Sequence, residues 1–136
     1  MTDDTNKKAT RWRQRLENLS KAYSLLSEAA GSQELSRLEQ EGLIKRFEYT
    51  FELAWKTAKD YLESKGLSVT YPRDVLKQAF QSGLVRDGEA WLEMLESRNT
   101  LAHTYDEARF NEAVERVRER FFPAIRELVD RLHAEK

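Results

Sequence analysis

Apolar residues return every three or four positions along most of this chain, the spacing of one face of an α-helix. Leu16, Leu19, Tyr23, Leu26 and Ala30 form the first stripe. They predict a helix from about Thr10 to Ala30 that stops at Gly31, where a helix end favours positive φ. The second stripe is Ile44, Phe47, Phe51, Ala54 with Trp55, Ala58 and Leu62. Ser36 and Glu39 have the spacing of a capping box at its start, and Gly66 is its natural stop. At about 1.5 Å per residue this rod is roughly 44 Å long, enough to be the spine of a bundle. Pro72 suits the first position of a third helix, with Val75, Leu76, Ala79 and Phe80 as its inner face and Gly83 as its end. A fourth helix begins near Asp87, a good N-cap residue, carries Trp91, Leu92, Met94 and Leu95, and finishes around His103 to Tyr105. The fifth runs from about Ala108 to His133, with Phe110, Ala113 or Val114, Val117, Phe121, Ile125, Leu128 and Leu132 as its stripe. Pro123 inside it is expected to kink or split it. No segment alternates apolar and polar residues over a strand's length, so the expected fold is all-α, one up-and-down bundle.

Composition narrows this picture. The chain has 136 residues, the size of one domain. Residues 1–9 read as a disordered polar tail and 10–136 as the bundle. With no cysteine, thiolate chemistry and disulfides are excluded. The N-terminus lacks the apolar core of a secretory signal, and no apolar run is long enough to span a membrane. A soluble, cytoplasmic protein is expected. Its 23 basic side chains nearly cancel 24 acidic ones. Any nucleic-acid contact must therefore be local, because no global positive field exists to gather RNA or DNA.

Candidate chemistry centres on one of the two histidines. His133 lies on a polar helix terminus, where a solvated side chain favourable to the helix dipole is expected. His103 follows Arg98 by five residues and precedes Tyr105 by two, at the junction of two helices. Histidine moves protons near neutral pH, and arginine offers a permanent charge with a fork of donors that suits phosphate oxygens. A tyrosine hydroxyl beside them can hold a phosphate or be modified. These side chains suit RNA cleavage without a metal: His103 acts on the attacking 2′-OH or the leaving oxygen, and Arg98 stabilises the charge that develops on phosphorus. On an unbroken helix, however, Arg98 and His103 lie about 140° apart. They converge only if the helix ends near Ala102, if Arg98 reaches around, or if two chains share one cleft. The bland alternative is a helix-capping arginine, a boundary histidine and an interface tyrosine.

Other features weigh less. Glu48 and Glu52 stand one turn apart as a possible carboxylate pair, but with no third ligand a metal site is not expected, and no cofactor is. Phe47, Phe51 and Trp55 read as core or dimer interface. Arg116, Arg118 and Arg120, interrupted by Glu115 and Glu119, read as an ion-paired, solvated face.

The stretch Arg98-Asn-Thr-Leu-Ala-His103-Thr-Tyr105 resembles the R-x4-H-x-Y motif of HEPN domains that are paired with minimal nucleotidyltransferases. GLIKRFEYTFELAWKTAKDYLESKG and VRDGEAWLEMLESRNTLAHTYDE are similar to the nucleotidyltransferase substrate-binding branch of that class, so the resemblance covers residues from about 36 to 110. It implies a four- or five-helix HEPN-like bundle that forms a homodimer, and a small nucleotidyltransferase encoded nearby as partner. In its toxin form, Arg98 and His103 make a metal-independent endoribonuclease site acting on RNA, for instance a tRNA. Tyr105, with Asn99 beside Arg98, is then the modification and binding position, and nucleotidylation of Tyr105 by the partner switches the toxin off through bulk and charge. The alternative that the resemblance implies is a non-catalytic substrate-binding subunit of the nucleotidyltransferase.

Overall fold

The computed structural model describes residues 2–101 and 106–136, and outside residues 2–5 and 101 it describes their side chains as well. The elements are α1 (Thr2–Ala30), α2 (Arg37–Ser64), α3 (Pro72–Gln81), α4 (Gly88–Leu101), α5 (Glu107–Arg116), a π turn (Val117–Phe121) and α6 (Phe122–Ala134). No strand occurs among the described residues.

Local chemistry sets most of the boundaries. At the start of α2, Glu39 N–H donates to Ser36 Oγ (3.1 Å) and Ser36 N–H donates to Glu39 Oε1 (2.8 Å). Two amides that the helix leaves without partners are thereby satisfied. The backbone N–H of Ser36 beside it holds the Glu39 carboxyl below its ordinary range, followed by the Ser36 hydroxyl. Gly66 closes α2 at φ +89°, and Leu67 N–H returns to Leu62 O at 3.0 Å. Only glycine adopts that backbone without strain. Pro72 opens α3, and Asp87 caps α4 by accepting from Ala90 N–H at 3.0 Å. Asp106 caps α5 by accepting from Ala108 N–H at 2.9 Å.

α1 lies along α2, α6 closes on α1 and α2, and α3, α4 and α5 complete the wall. Leu16, Leu19 and Leu26 of α1 meet Leu43, Phe47, Phe51 and Leu62 of α2, with Val117, Phe121, Ile125 and Leu132 from the last helix. An aromatic row crosses this core. Phe121 stacks on Phe47 (5.3 Å between centroids), Phe47 meets Phe51 (6.1 Å), and Phe51 meets Trp91 of α4 (6.2 Å). Offset and tilted pairs of this kind add about 0.5–1.5 kcal/mol each beyond area burial. Thr50 and Thr57 are buried on α2, and each hydroxyl donates to the carbonyl one turn back, Arg46 O and Leu53 O, at 2.6 Å. They therefore cost little inside. Asp60 is buried too, with Arg15 Nε 2.7 Å from its Oδ2.

Four details differ from the sequence pattern, the first being that Gly31 follows α1 without the positive φ expected there, which Gly66 and Gly83 do adopt. α1 extends back to Thr2, through residues whose polarity reads as a tail; among its described side chains the first buried one is Trp12. Phe80, expected on the inner face of α3, is 52% exposed. A ten-residue helix buries only a narrow stripe here, Val75, Leu76 and Ala79, and Phe80 lies over the start of α4 against Gly88. Pro123 interrupts the last helix by widening it. A proline lacks the N–H of a regular turn, and its ring crowds the carbonyl four residues earlier. Phe122 N–H instead reaches Val117 O, five residues back, while φ and ψ stay helical at Phe121 (−73°, −45°) and Phe122 (−58°, −48°). The proline is accommodated by one π turn.

Candidate functional site

The apolar stripe of α4 aims Arg98. Trp91, Met94 and Leu95 are buried against the bundle, and Arg98 follows Met94 by one turn, so it emerges on the α2 side of the helix. Its side chain is 29% exposed, so it sits at the boundary between the bundle and solvent. The guanidinium has three described neighbours. Nη1 donates to Glu52 Oε1 on α2, Nε donates to Asn99 Oδ1 at 3.0 Å, and Cζ stands 5.8 Å from the centre of the Phe51 ring. Glu52 is itself held: its Oε2 accepts from the indole N–H of Trp55 at 3.0 Å.

Of the residues singled out by the motif, the structure thus brings Arg98 and Asn99 into one hydrogen-bonded unit. His103 and Tyr105 lie outside the described residues. Glu52, suggested by the sequence as half of a carboxylate pair with Glu48, takes Arg98 and Trp55 as its partners. Local spacing carries no signal for this, since Glu52 and Arg98 are 46 positions apart. The only hint available was an acidic residue bordering the apolar stripe of α2. Phe47 and Phe51 are fully buried and Trp55 nearly so, making them core within the chain.

A cleft of about 270 Å³ lies between α4 and α5, lined by Glu93, Glu96, Ser97 and Thr100 from one and Arg109, Glu112 and Arg116 from the other. Ser97 is about 100° round the helix from Arg98, so this cleft and the Arg98 head occupy different faces. Its charges are largely engaged within the fold. Arg116 Nη2 meets Glu112 Oε1 at 2.7 Å, and Arg120 Nη1 meets Glu93 Oε2 at 3.1 Å. Arg118 donates to Ser32 O on the α1–α2 loop. The arginine strip of the last helix is accordingly spent on intramolecular contacts. His133 Nε2 stands 2.8 Å from Ser20 Oγ, an exposed contact between α6 and α1. No group of three or more metal-ligating side chains occurs among the described residues, and none of their helices is long and apolar enough to cross a membrane.

Three likenesses bear on this arrangement. A family described as "nucleotidyltransferase substrate binding protein like" matches residues 14–134. Over 71 residues the chain is 32% identical to a Haemophilus influenzae protein named "Probable ribonuclease HepT", an overlap of 48% of this chain and 49% of that one. The chain thus matches about half the length of this curated relative. A Thermus thermophilus protein of known crystal structure is 32% identical and superposes with a TM-score of 0.73, covering 86% of this chain and 97% of the other.

Proposed function

The chain belongs to the nucleotidyltransferase substrate-binding-like family of HEPN proteins, and on that footing we propose that it is a HEPN toxin, a metal-independent endoribonuclease silenced by a partner nucleotidyltransferase. The observation that carries this reading is the setting of Arg98. A guanidinium seated on an aromatic ring and fixed through Nη1 and Nε stands at the C-terminal end of α4, just ahead of His103 in the chain. The name of the Haemophilus influenzae relative supports the same chemistry.

In this reaction the 2′-oxygen of RNA attacks the adjacent phosphorus while the bond from phosphorus to the 5′-oxygen breaks. The products are a 2′,3′-cyclic phosphate and a free 5′-hydroxyl. His103 takes the proton from the 2′-OH or delivers one to the leaving oxygen. Arg98 stabilises the extra negative charge on the phosphoryl oxygens, which is greatest in the transition state. Near-zero net charge suits a narrow substrate such as a tRNA, gripped by few phosphate contacts. Two copies form a homodimer in the cytoplasm, and the nucleotidyltransferase is encoded nearby. That partner transfers AMP from ATP to the Tyr105 hydroxyl with release of pyrophosphate, setting a bulky anion where the RNA phosphate must sit. Asn99, hydrogen-bonded to Arg98, belongs to the binding surface of the same site.

The description of the family favours a second reading, a binding subunit that presents a substrate to the nucleotidyltransferase without catalysis. Both are tested by incubating the purified chain, made without its partner, with tRNA in EDTA beside Arg98→Ala and His103→Ala. The toxin reading expects cleavage by the native protein and none by either variant. Absence of cleavage by a native protein whose intact mass shows Tyr105 unmodified sinks it and leaves the binding subunit.

A further inference from the structure

Glu52 is the described residue that joins Arg98 to the interior. Its two oxygens face different partners, Arg98 on one side and the Trp55 indole N–H on the other. The indole lies on the same helix, three residues along, and is almost fully buried, so it is a fixed donor. An ion pair whose two members are each about 30% exposed contributes little to stability. Its geometric effect is larger. A free arginine side chain samples many rotamers, and each must be excluded before its fork meets a phosphate squarely. Here Nη1 is taken by Glu52 and Nε by Asn99, while no described residue engages Nη2. The guanidinium carries five N–H donors, so its second Nη1–H and the two of Nη2 are those a phosphoryl oxygen would meet.

We infer that Glu52, locked by Trp55, is a positioning residue that orients Arg98 toward the scissile phosphate. This rests on the ribonuclease reading above and assigns a role to a residue outside the motif. It also predicts opposite effects on binding and turnover. Removing Glu52 deletes a negative charge beside the site, which favours RNA binding, while releasing Arg98, which lowers the rate. A residue with a merely structural role lacks that signature.

The test compares wild type, Glu52→Ala, Glu52→Gln, Trp55→Phe, Glu52→Gln with Trp55→Phe, and Arg98→Ala. Glu52→Ala is expected to lower kcat about 100-fold, the scale of a misplaced catalytic group, with KM no higher than wild type. Glutamine has one acceptor and one donor end, so it serves Arg98 only by turning its NH2 toward the indole N–H. Glu52→Gln is therefore expected to be impaired, and adding Trp55→Phe to restore several-fold of the lost rate. Independently of activity, ¹⁵N NMR should show the Arg98 Nε–H and Trp55 indole N–H resonances both shifting in Glu52→Ala. If neither resonance moves, the hold does not exist and the inference is overturned whether or not RNA is cut. A Glu52→Ala rate equal to wild type, with Arg98→Ala inactive, overturns it equally. Cleavage by Arg98→Ala at the wild-type rate would instead overturn the ribonuclease assignment to Arg98, with the NMR still deciding the hold.

Discussion

Phe51 is where packing and chemistry meet, and its replacement by alanine separates them. The ring is fully buried, touches Phe47 and Trp91, and lies beneath the Arg98 guanidinium. Deleting it opens a cavity that three helices cannot collapse without moving α2, so the cost belongs in the range of about 3–5 kcal/mol for a buried aromatic. The cation–π contact adds about 0.5–1 kcal/mol at a partly exposed site. A loss near 4 kcal/mol is a large share of the roughly 5–15 kcal/mol that holds a domain of this kind together. In urea, with a slope of about 2 kcal/mol/M, the midpoint should fall by about 2 M. Phe51→Leu keeps most of the volume and should cost about 1–2 kcal/mol, yet it removes the cation–π contact completely. RNA cleavage by Phe51→Leu should therefore fall further than its stability suggests. A midpoint shift under about 0.5 M for Phe51→Ala, or equal losses in the two variants, would refute the view that this ring is both keystone and seat.

Ser36→Ala removes one half of the α2 capping box and should cost about 1 kcal/mol, read from the thermal midpoint; an unchanged midpoint would mean the cap is ornamental. The accompanying pH dependence has a definite sign. Because the folded-state value of Glu39 is lowered from 4.5, its contribution is complete above that ordinary value and is lost as pH falls through the depressed one. The stability gap between wild type and Glu39→Gln should close over that acid window and stay open at neutral pH. Arg15→Ala leaves the Asp60 carboxylate, 6% exposed, without the cation 2.7 Å away. Breaking a fully buried pair costs about 3–5 kcal/mol, and since the Arg15 side chain is 34% exposed, about 2–3 kcal/mol is expected here. Asp60→Asn in the same background should recover part of it by double-mutant cycle, and additive losses would show the pair uncoupled.

The helices were legible because each carries a stripe of the right period and a chemical stop. Ser36 with Glu39, Gly66, Pro72, Gly83 and Asp87 mark ends through bonds to their own neighbours, and such bonds are visible in one dimension. What period alone does not encode is how much of a stripe meets a partner. Phe80 follows the pattern of α3 yet stays half outside, because α4 begins beneath it at Gly88. Pro123 announced a disturbance but not its form, since the response depends on which carbonyl the next free N–H finds. At the site, Arg98 and Asn99 were legible as a motif. Glu52 was not, for its role exists only once α2 and α4 lie side by side.

The π turn ahead of Pro123 has a consequence for how the two ends of the last helix are phased. A π turn accommodates one residue more than an α turn while the segments on either side keep their faces. Were the turn to tighten to regular α geometry with α6 seated in the core, α5 would have to swivel about 100° around its axis. Arg109, Glu112 and Arg116 would leave the wall of the α4 cleft together, and Arg37 would lose Glu107 and the Phe110 ring on which it rests. Shortening the turn by a single residue avoids that swivel, because the surplus is what the wide turn holds. One residue between Val117 and Phe121 is therefore the vernier that keeps the first half of this helix in register with α4 and the second half in register with the core.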